Sequence, residues 1–235
     1  MKSFLTVFAV FSFALSFLSA DVGHQNTVSV PKDGLKPFGI GLIKEYPSVE
    51  KILIPRMQID KRVGELGAQI AEDYAGKTIT MLPVLKGAFV FAADLGRAIC
   101  RAGHKHVNCD FIKTSAYSEG INSLGDKLNS VKISLKPKSL NGKDVLVVED
   151  MFDRGVTLNK VRDYLVNEAG ARSVKICVLL RKVLENPTEE IIALRNNINL
   201  DYIGFDIPDV WVTGYGLDCS GEDMRFLPCI VSINA

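Results

Sequence analysis

The run Val145-Leu146-Val147-Val148-Glu149-Asp150-Met151-Phe152-Asp153-Arg154-Gly155-Val156-Thr157-Leu158 decides how the rest of the chain is read. Its first four residues are apolar without alternation, as a strand buried on both faces requires. Glu149 and Asp150 follow at the strand's carboxyl end. Then come Asp153, a glycine that permits a tight turn, and Thr157, a good helix-starting residue. Leu158, Val161, Tyr164 and Leu165 fall on one helical face, which predicts a helix closed at Gly170. Strand, acidic loop and helix make up the repeating half-unit of an open parallel sheet, in which ligands lie outside the carboxyl ends of the strands.

The chemistry of the loop narrows the ligand. Glu149 and Asp150 are acceptors suited to a diol or to the shell of a Mg²⁺ ion. The turn from Asp153 to Thr157 offers backbone amides and a hydroxyl to a phosphate monoester. Carboxylates facing a sugar and amides facing a phosphate together describe a phosphoribose site. The competing reading is an acidic loop that only caps a helix; the ordered set directly after a buried strand favours the ligand site.

Val147-Val148-Glu149-Asp150-x-x-Asp153-x-Gly155-x-Thr157 resembles the phosphoribosyl-diphosphate motif of type I phosphoribosyltransferases, and the flanking segments, from about Tyr46 to the C-terminus, resemble the hypoxanthine-guanine branch. The resemblance implies an α/β fold of the type I phosphoribosyltransferase kind: a parallel sheet flanked by helices, with a small hood subdomain built around Trp211 from N-terminal and late segments. It implies purine salvage, the Mg²⁺-dependent transfer of phosphoribosyl from 5-phosphoribosyl 1-diphosphate to N9 of hypoxanthine or guanine, giving IMP or GMP. It also implies a homodimer or homotetramer.

Residue by residue, the resemblance assigns the phosphoribose to Glu149, Asp150, Met151, Phe152, Asp153, Arg154, Gly155, Val156 and Thr157, with Asp153 near purine N7 as the catalytic proton acceptor. Lys86 and Gly87 match a loop that presents an amide to pyrophosphate. Tyr117 belongs to a loop that closes over the reacting centre, and Arg225, before Phe226-Leu227-Pro228, matches an Arg that grips pyrophosphate. Lys182, in Leu179-Leu180-x-Lys182, takes the place of a donor to the purine 6-oxo group. Val210, Trp211 and Val212 border the base, Trp211 stacked on it and the Val212 backbone at its edge. Asp218 binds Mg²⁺, with Glu149 and Asp150 as further oxygen donors.

The residues carry physical arguments of their own. A Lys-Gly pair between a buried strand, Thr78 to Leu85 with Pro83 interrupting it, and an apolar helix from Phe89 to Cys100 suits an oxyanion, although the same pair makes an ordinary turn. A Lys at a strand end is ordinarily solvated. Facing a 6-amino group, a buried Lys182 would be left unpaired, so adenine should be a poor substrate. A lone Trp is ordinarily packing, whereas in this motif stacking on a base contributes about 1–3 kcal/mol. Several positions depart from the family pattern: Ala88 for a second Gly, Ala116 for Ser, Arg154 for Thr, Val156 and Val210 for Lys, and one extra residue between Asp218 and Arg225. They leave open a divergent, weakly active or inactive homologue that binds nucleotides. Asp153, Tyr117 and Asp218 favour an enzyme.

The remaining sequence frames this unit. A chain of 235 residues with 47% hydrophobic and 23% charged residues fits one domain with a small appendage, and a net charge of +1 gives no reason to expect nucleic acid or an acidic membrane as partner. Residues 1–20 read as a signal peptide or apolar leader, 21–45 as a loose polar arm and 46–235 as the phosphoribosyltransferase domain. Five scattered Cys make no disulfide framework, and no Asn-x-Ser/Thr sequon occurs. The body thus reads as cytoplasmic and the leader as an alternative secretory route; an alternative start, an organellar route or an extended gene model would each reconcile them. Ile52 to Ile54 predicts a strand and Ile59 to Tyr74 a helix. His106 to Lys113 predicts a strand, followed by a polar run to Ser130 with the length of a lid. Val131 to Leu135 and Ser173 to Leu180 are further strands. Val183 to Leu200 is longer than the resemblance leads one to expect, with a short helix beginning at Asn186-Pro187 and Arg195 in its last turn. That extra length hides any equivalent of the basic residue the family often carries shortly after the Lys.

Overall fold

Strand β6 (Asp144–Phe152) sits at the middle of the main sheet in the computed structural model, which describes residues 46–116, 131–218 and 224–234. All of these belong to one compact unit, Leu42–Ala235. The apolar leader, the polar arm and the polar run from 117 to 130 lie outside the described residues. On one side β6 pairs in parallel with β2 (Ile79–Leu85), on the other with β7 (Ser173–Val183), and β7 pairs in parallel with β8 (Tyr202–Pro208). Strand β2 also carries β3 (Val107–Cys109) and β4 (Ile112–Ala116), both parallel, and β4 carries the antiparallel β5 (Val131–Leu135). The seven-stranded sheet runs β5-β4-β2-β6-β7-β8, with β3 beside β2.

The unbroken apolar run of β6 is explained by two cores. Leu146 and Val148 face one core, with Cys177 and Leu179 of β7 and the buried sides of helices α1 (Arg56–Asp73) and α2 (Phe89–Arg101). Val145 and Val147 face the other, with Ile176, Val178 and helix α3 (Val156–Asp163), which ends in a π-helical turn, Tyr164–Glu168. Leu158, Val161, Tyr164 and Leu165 fill that second core, as their spacing predicts. A smaller antiparallel sheet, β1 (Val49–Ile54), β10 (Ile230–Ile233) and β9 (Val212–Thr213), forms the hood in the order β1-β10-β9. Trp211 is tied to it by its carbonyl, which accepts from Ile233 N at 3.0 Å.

Several element boundaries differ from the sequence reading. β6 runs on to Phe152, paired with Arg181 of β7, so Glu149 to Phe152 are strand residues and not loop. Helix α3 begins at Val156 behind Gly155, which takes φ +82; Thr157 lies inside the first turn and does not cap it. The stretch His106 to Lys113 is two short strands parted at Asp110-Phe111. Pro83 does not interrupt β2. Met81 accepts from Asp110 N, so the proline, two residues on, turns its missing donor to the same side, where pairing passes from β3 to β4. The late helix, α4 (Glu189–Asn196), starts after Asn186-Pro187, with the Thr188 hydroxyl accepting from Ile191 N at 3.4 Å and Glu189 and Glu190 in its first turn. Cys100, Cys109, Cys177 and Cys229 are free thiols. Among the described residues no helix is long and apolar enough to cross a membrane.

Candidate active site

The parallel strands β2, β6, β7 and β8 end on the same side of the sheet, and their carboxyl ends deliver the chemistry. Lys86-Gly87 follows β2, Glu149 to Asp153 close β6, Lys182 lies near the end of β7, and Asp209 to Trp211 follow β8. Four of the regions singled out by sequence therefore meet at one end of one sheet.

At the end of β6 the two carboxylates differ. Glu149 is buried; its Oε1 accepts from Asp150 N at 3.2 Å, and Oε2 has no partner. Burial first, and the neighbouring Asp150 second, push its carboxyl well above the usual range. Asp150 accepts from Met151 N through Oδ1 at 2.8 Å and turns Oδ2 toward Gly87. The loop after β2 begins with a cis Leu85-Lys86 peptide. It is pinched between two elements: a Cβ on Gly87 would meet Asp150 Oδ2, and a Cβ on Gly216 would stand 2.3 Å from Gly87 O. Lys86 is exposed. Met151 is half-buried against the first core and Phe152 is buried in the second, so the Phe152 side chain is turned away from a ligand.

Past β6 the loop Asp153-Arg154-Gly155 turns into α3. Asn159 donates to Gly155 O at 2.8 Å and to Leu194 O at 2.9 Å. Val156 and Thr157 are half-buried in the first turn of α3, and Arg154 is exposed. Lys182, 6% exposed, points its ammonium between two carboxylates, 3.3 Å from Asp209 Oδ1 and 3.8 Å from Asp153 Oδ2, and 5.6 Å from the centre of the Trp211 ring. Trp211 itself is 65% exposed, with Val212 buried behind it and Val210 half-buried. Asp153, Arg154, Lys182, Asp209 and Trp211 border a cavity of about 510 Å³, walled on its far side by the stretch Leu184 to Thr188 and by Ile191. The Arg225 guanidinium pairs with the Asp218 carboxylate and donates to Gly216 O. The two residues assigned to pyrophosphate and Mg²⁺ therefore stand together, next to the turn that touches Gly87. Tyr117 lies outside the described residues.

Sequence reasoning missed three contributors. Asp209 sits inside the stretch that leads to Trp211 yet was not given a role. Gly216 is one of the glycines of a turn that reads as ordinary. Arg195 is 42 residues from Asp153, whose carbonyl it contacts, and no local pattern announces that distance. The donor set fits Mg²⁺ in kind: hard oxygen atoms, one of them an orphaned buried carboxylate oxygen at Glu149, in a site where such an ion keeps substrate phosphates and waters as its other ligands. Among the described residues no cluster of three or more His, Cys, Asp or Glu forms a protein-only metal cage.

The chain matches the family of the phosphoribosyl transferase domain over residues 52–219. It is 39% identical over 184 residues to the hypoxanthine phosphoribosyltransferase of Escherichia coli (strain K12), covering 77% of this chain and 93% of that protein. It is 37% identical over 179 residues to the hypoxanthine-guanine phosphoribosyltransferase of Dictyostelium discoideum, covering 76% and 92%. The solved structure of Trypanosoma cruzi hypoxanthine phosphoribosyl transferase superposes with a TM-score of 0.68 at 34% identity, over 80% of this chain and 93% of that one.

Proposed function

The chain belongs to the phosphoribosyl transferase domain family, and from that premise we propose that it is a purine-salvage enzyme joining a 6-oxopurine to phosphoribose. The reaction is the transfer of phosphoribosyl from 5-phosphoribosyl 1-diphosphate to N9 of hypoxanthine or guanine, with IMP or GMP and pyrophosphate as products. The observation that carries the reading is the placement of Lys182. A buried ammonium stands beside the only Trp of the chain, within ion-pair distance of Asp153 in the phosphoribose loop. A 6-oxo group offers this ammonium a further acceptor, whereas a 6-amino group would set donor against donor.

In this reading the Asp153–Gly155 turn and the first amides of α3 hold the 5′-phosphate. Glu149 and Asp150 face the ribose hydroxyls. Asp153 takes the purine proton as N9 forms its bond to C1 of the ribose and the bond from C1 to the pyrophosphate oxygen breaks. Gly87 offers its backbone to the departing pyrophosphate, and Arg225 offers its charge. Asp218, Glu149 and Asp150 would hold Mg²⁺, which when bound neutralises charge on the pyrophosphate. Trp211 stacks on the base and Val212 meets its edge through the backbone. Most of the rate enhancement then comes from orientation and charge neutralisation. The substrate is an intracellular metabolite and the four described thiols are unpaired, which supports a cytoplasmic site of action.

The test is nucleotide formation by the full chain with hypoxanthine, guanine, xanthine and adenine, each with 5-phosphoribosyl 1-diphosphate and Mg²⁺, beside Asp153→Asn. Turnover of 6-oxopurines, absent with adenine and reduced in Asp153→Asn, is expected. GMP binding without turnover of any base would overturn the enzyme and leave a nucleotide-binding homologue.

A further inference from the structure

Helix α4 contributes nothing to the core: none of its eight residues is buried. It is nevertheless bonded to the loop that the proposed function assigns to phosphate. Arg195, in its last turn, donates through Nη1 to the carbonyl of Asp153 and through Nη2 to the carbonyl of Lys182 at 2.8 Å. Its guanidinium carbon lies 4.6 Å above the centre of the Phe152 ring. The neighbouring Leu194 carbonyl accepts from Asn159 Nδ2 at 2.9 Å, and Asn197, just past the helix, donates to Asn159 Oδ1 at 2.5 Å. Gly155 closes the fit, since a Cβ there would come within 3.4 Å of Leu194 O and 3.6 Å of Arg195 Cα.

One guanidinium thus bridges two strand ends, the Asp153 end of β6 and the Lys182 end of β7. These are the residues to which the proton transfer and the recognition of the base are given. A planar guanidinium donating to two carbonyls fixes the separation between them, which a single ammonium cannot do. We propose that Arg195 is a positioning residue that sets Asp153 and Lys182 at their working distance, and that α4 is present to carry it. The inference rests on the phosphoribosyl-transfer reading. It assigns to α4 and to the stretch leading into it, which also walls the cavity beside Lys182, control over how the base and the phosphoribose are aligned.

The experiment compares Arg195→Met, Arg195→Lys and Ile192→Ser with the unchanged protein. Met keeps an apolar stem over Phe152 and removes both donors; Lys keeps a charge that reaches one carbonyl. Ile192 is 43% exposed and takes no part in the site, so its variant reports on changes to α4 alone. Expected is a fall in kcat/KM of about 10- to 100-fold in Arg195→Met, the order of effect for losing hydrogen bonds from a charged donor. Both substrates should be affected, with a melting temperature close to that of the unchanged protein. Arg195→Lys should recover part of the loss, and Ile192→Ser should behave as the parent. Unchanged kinetics in Arg195→Met, or a loss that disappears once corrected for the unfolded fraction, would overturn the proposal. If the parent binds GMP but turns over no base, the functional reading fails by itself. The proposal is then read from GMP affinity, followed by Trp fluorescence: weaker binding in Arg195→Met supports it, and equal binding overturns it. A parent that neither turns over nor binds GMP overturns both.

Discussion

Gly87 lies so close to the carboxylate of Asp150 that a β-carbon on the glycine would stand 1.6 Å from Oδ2. The carbonyl of the same glycine lies so close to Gly216 that a β-carbon there would stand 2.3 Å from it. The loop after β2, the end of β6 and the turn before Arg225 are therefore stacked with no room for a side chain between them.

Gly87→Ala should leave the sheet intact and push Asp150 or the loop aside. A displacement of about 1 Å at a reacting centre costs on the order of 100-fold in rate. Steady-state assays should show a fall in kcat of that order, with circular dichroism unchanged. An alanine variant of normal kcat would mean that neither group takes part in the reaction.

Lys182→Met removes the cation shared by Asp153 and Asp209. Loss of a charged hydrogen bond to the 6-oxo group, about 1.5–3 kcal/mol, should lower kcat/KM for hypoxanthine roughly 10- to 100-fold. Adenine should gain relative to hypoxanthine, because an ammonium donor no longer faces its 6-amino group. Equal losses for both bases would show that Lys182 supports the fold and not the choice of base.

Trp211 is the sole indole and is well exposed. Its emission should therefore lie at long wavelength in the free protein, and GMP should quench or shift it. Trp211→Ala should raise KM for the base by about 1–3 kcal/mol equivalent, roughly 5- to 150-fold, while KM for 5-phosphoribosyl 1-diphosphate stays near that of the parent. An emission spectrum indifferent to saturating GMP would argue against stacking.

Asp144, buried at the start of β6, accepts from Arg172 Nε at 2.9 Å and from Ser173 Oγ at 2.7 Å, which ties β6 to the beginning of β7. The Arg172 hydrogen bond, followed by that of Ser173, holds its carboxyl down at about 2 against an ordinary 3.8. A depressed acid stabilises the folded state above its unfolded value and loses that contribution as pH falls through its folded value. Asp144→Asn should therefore melt lower than the parent at neutral pH, and the gap should narrow as pH falls from 3.8 toward about 2. A gap independent of pH would assign the difference to packing instead.

The parts of this molecule that sequence disclosed are those whose physics is local. The unalternating run Val145 to Val148 needs two cores, and two cores are there. The turn from Asp153 to Gly155 and the strand that ends just after Lys182 are contiguous stretches, readable because a few neighbouring residues suffice, whereas the hood around Trp211, which joins β1 to β10, comes from the family resemblance. Arg195 reaches Asp153 across 42 residues, and Gly87 reaches Gly216 and Asp150 from other elements. Such meetings are created by the crossovers of the sheet and leave no mark in local spacing. The end of β6 was misjudged for a related reason. Acidic residues suggest a loop, yet pairing with β7 carries the strand through Glu149 to Phe152.

Pro83 has one more effect on the molecule. With no amide proton at the step where β3 gives way to β4, β2 meets β4 only at Val84↔Ile112 and Leu85↔Lys113, whereas β6 and β7 are registered from Asp144↔Ser173 to Phe152↔Arg181. Local opening follows the number of bonds that must break together. In deuterated water the amides of the β4–β5 hairpin should exchange while those of β6 and β7 remain protected until the whole domain unfolds. The sheet should therefore be graded: β6 and β7, which carry Asp153 and Lys182 at their ends, are expected to exchange slowest, and β4 and β5 to open without disturbing them.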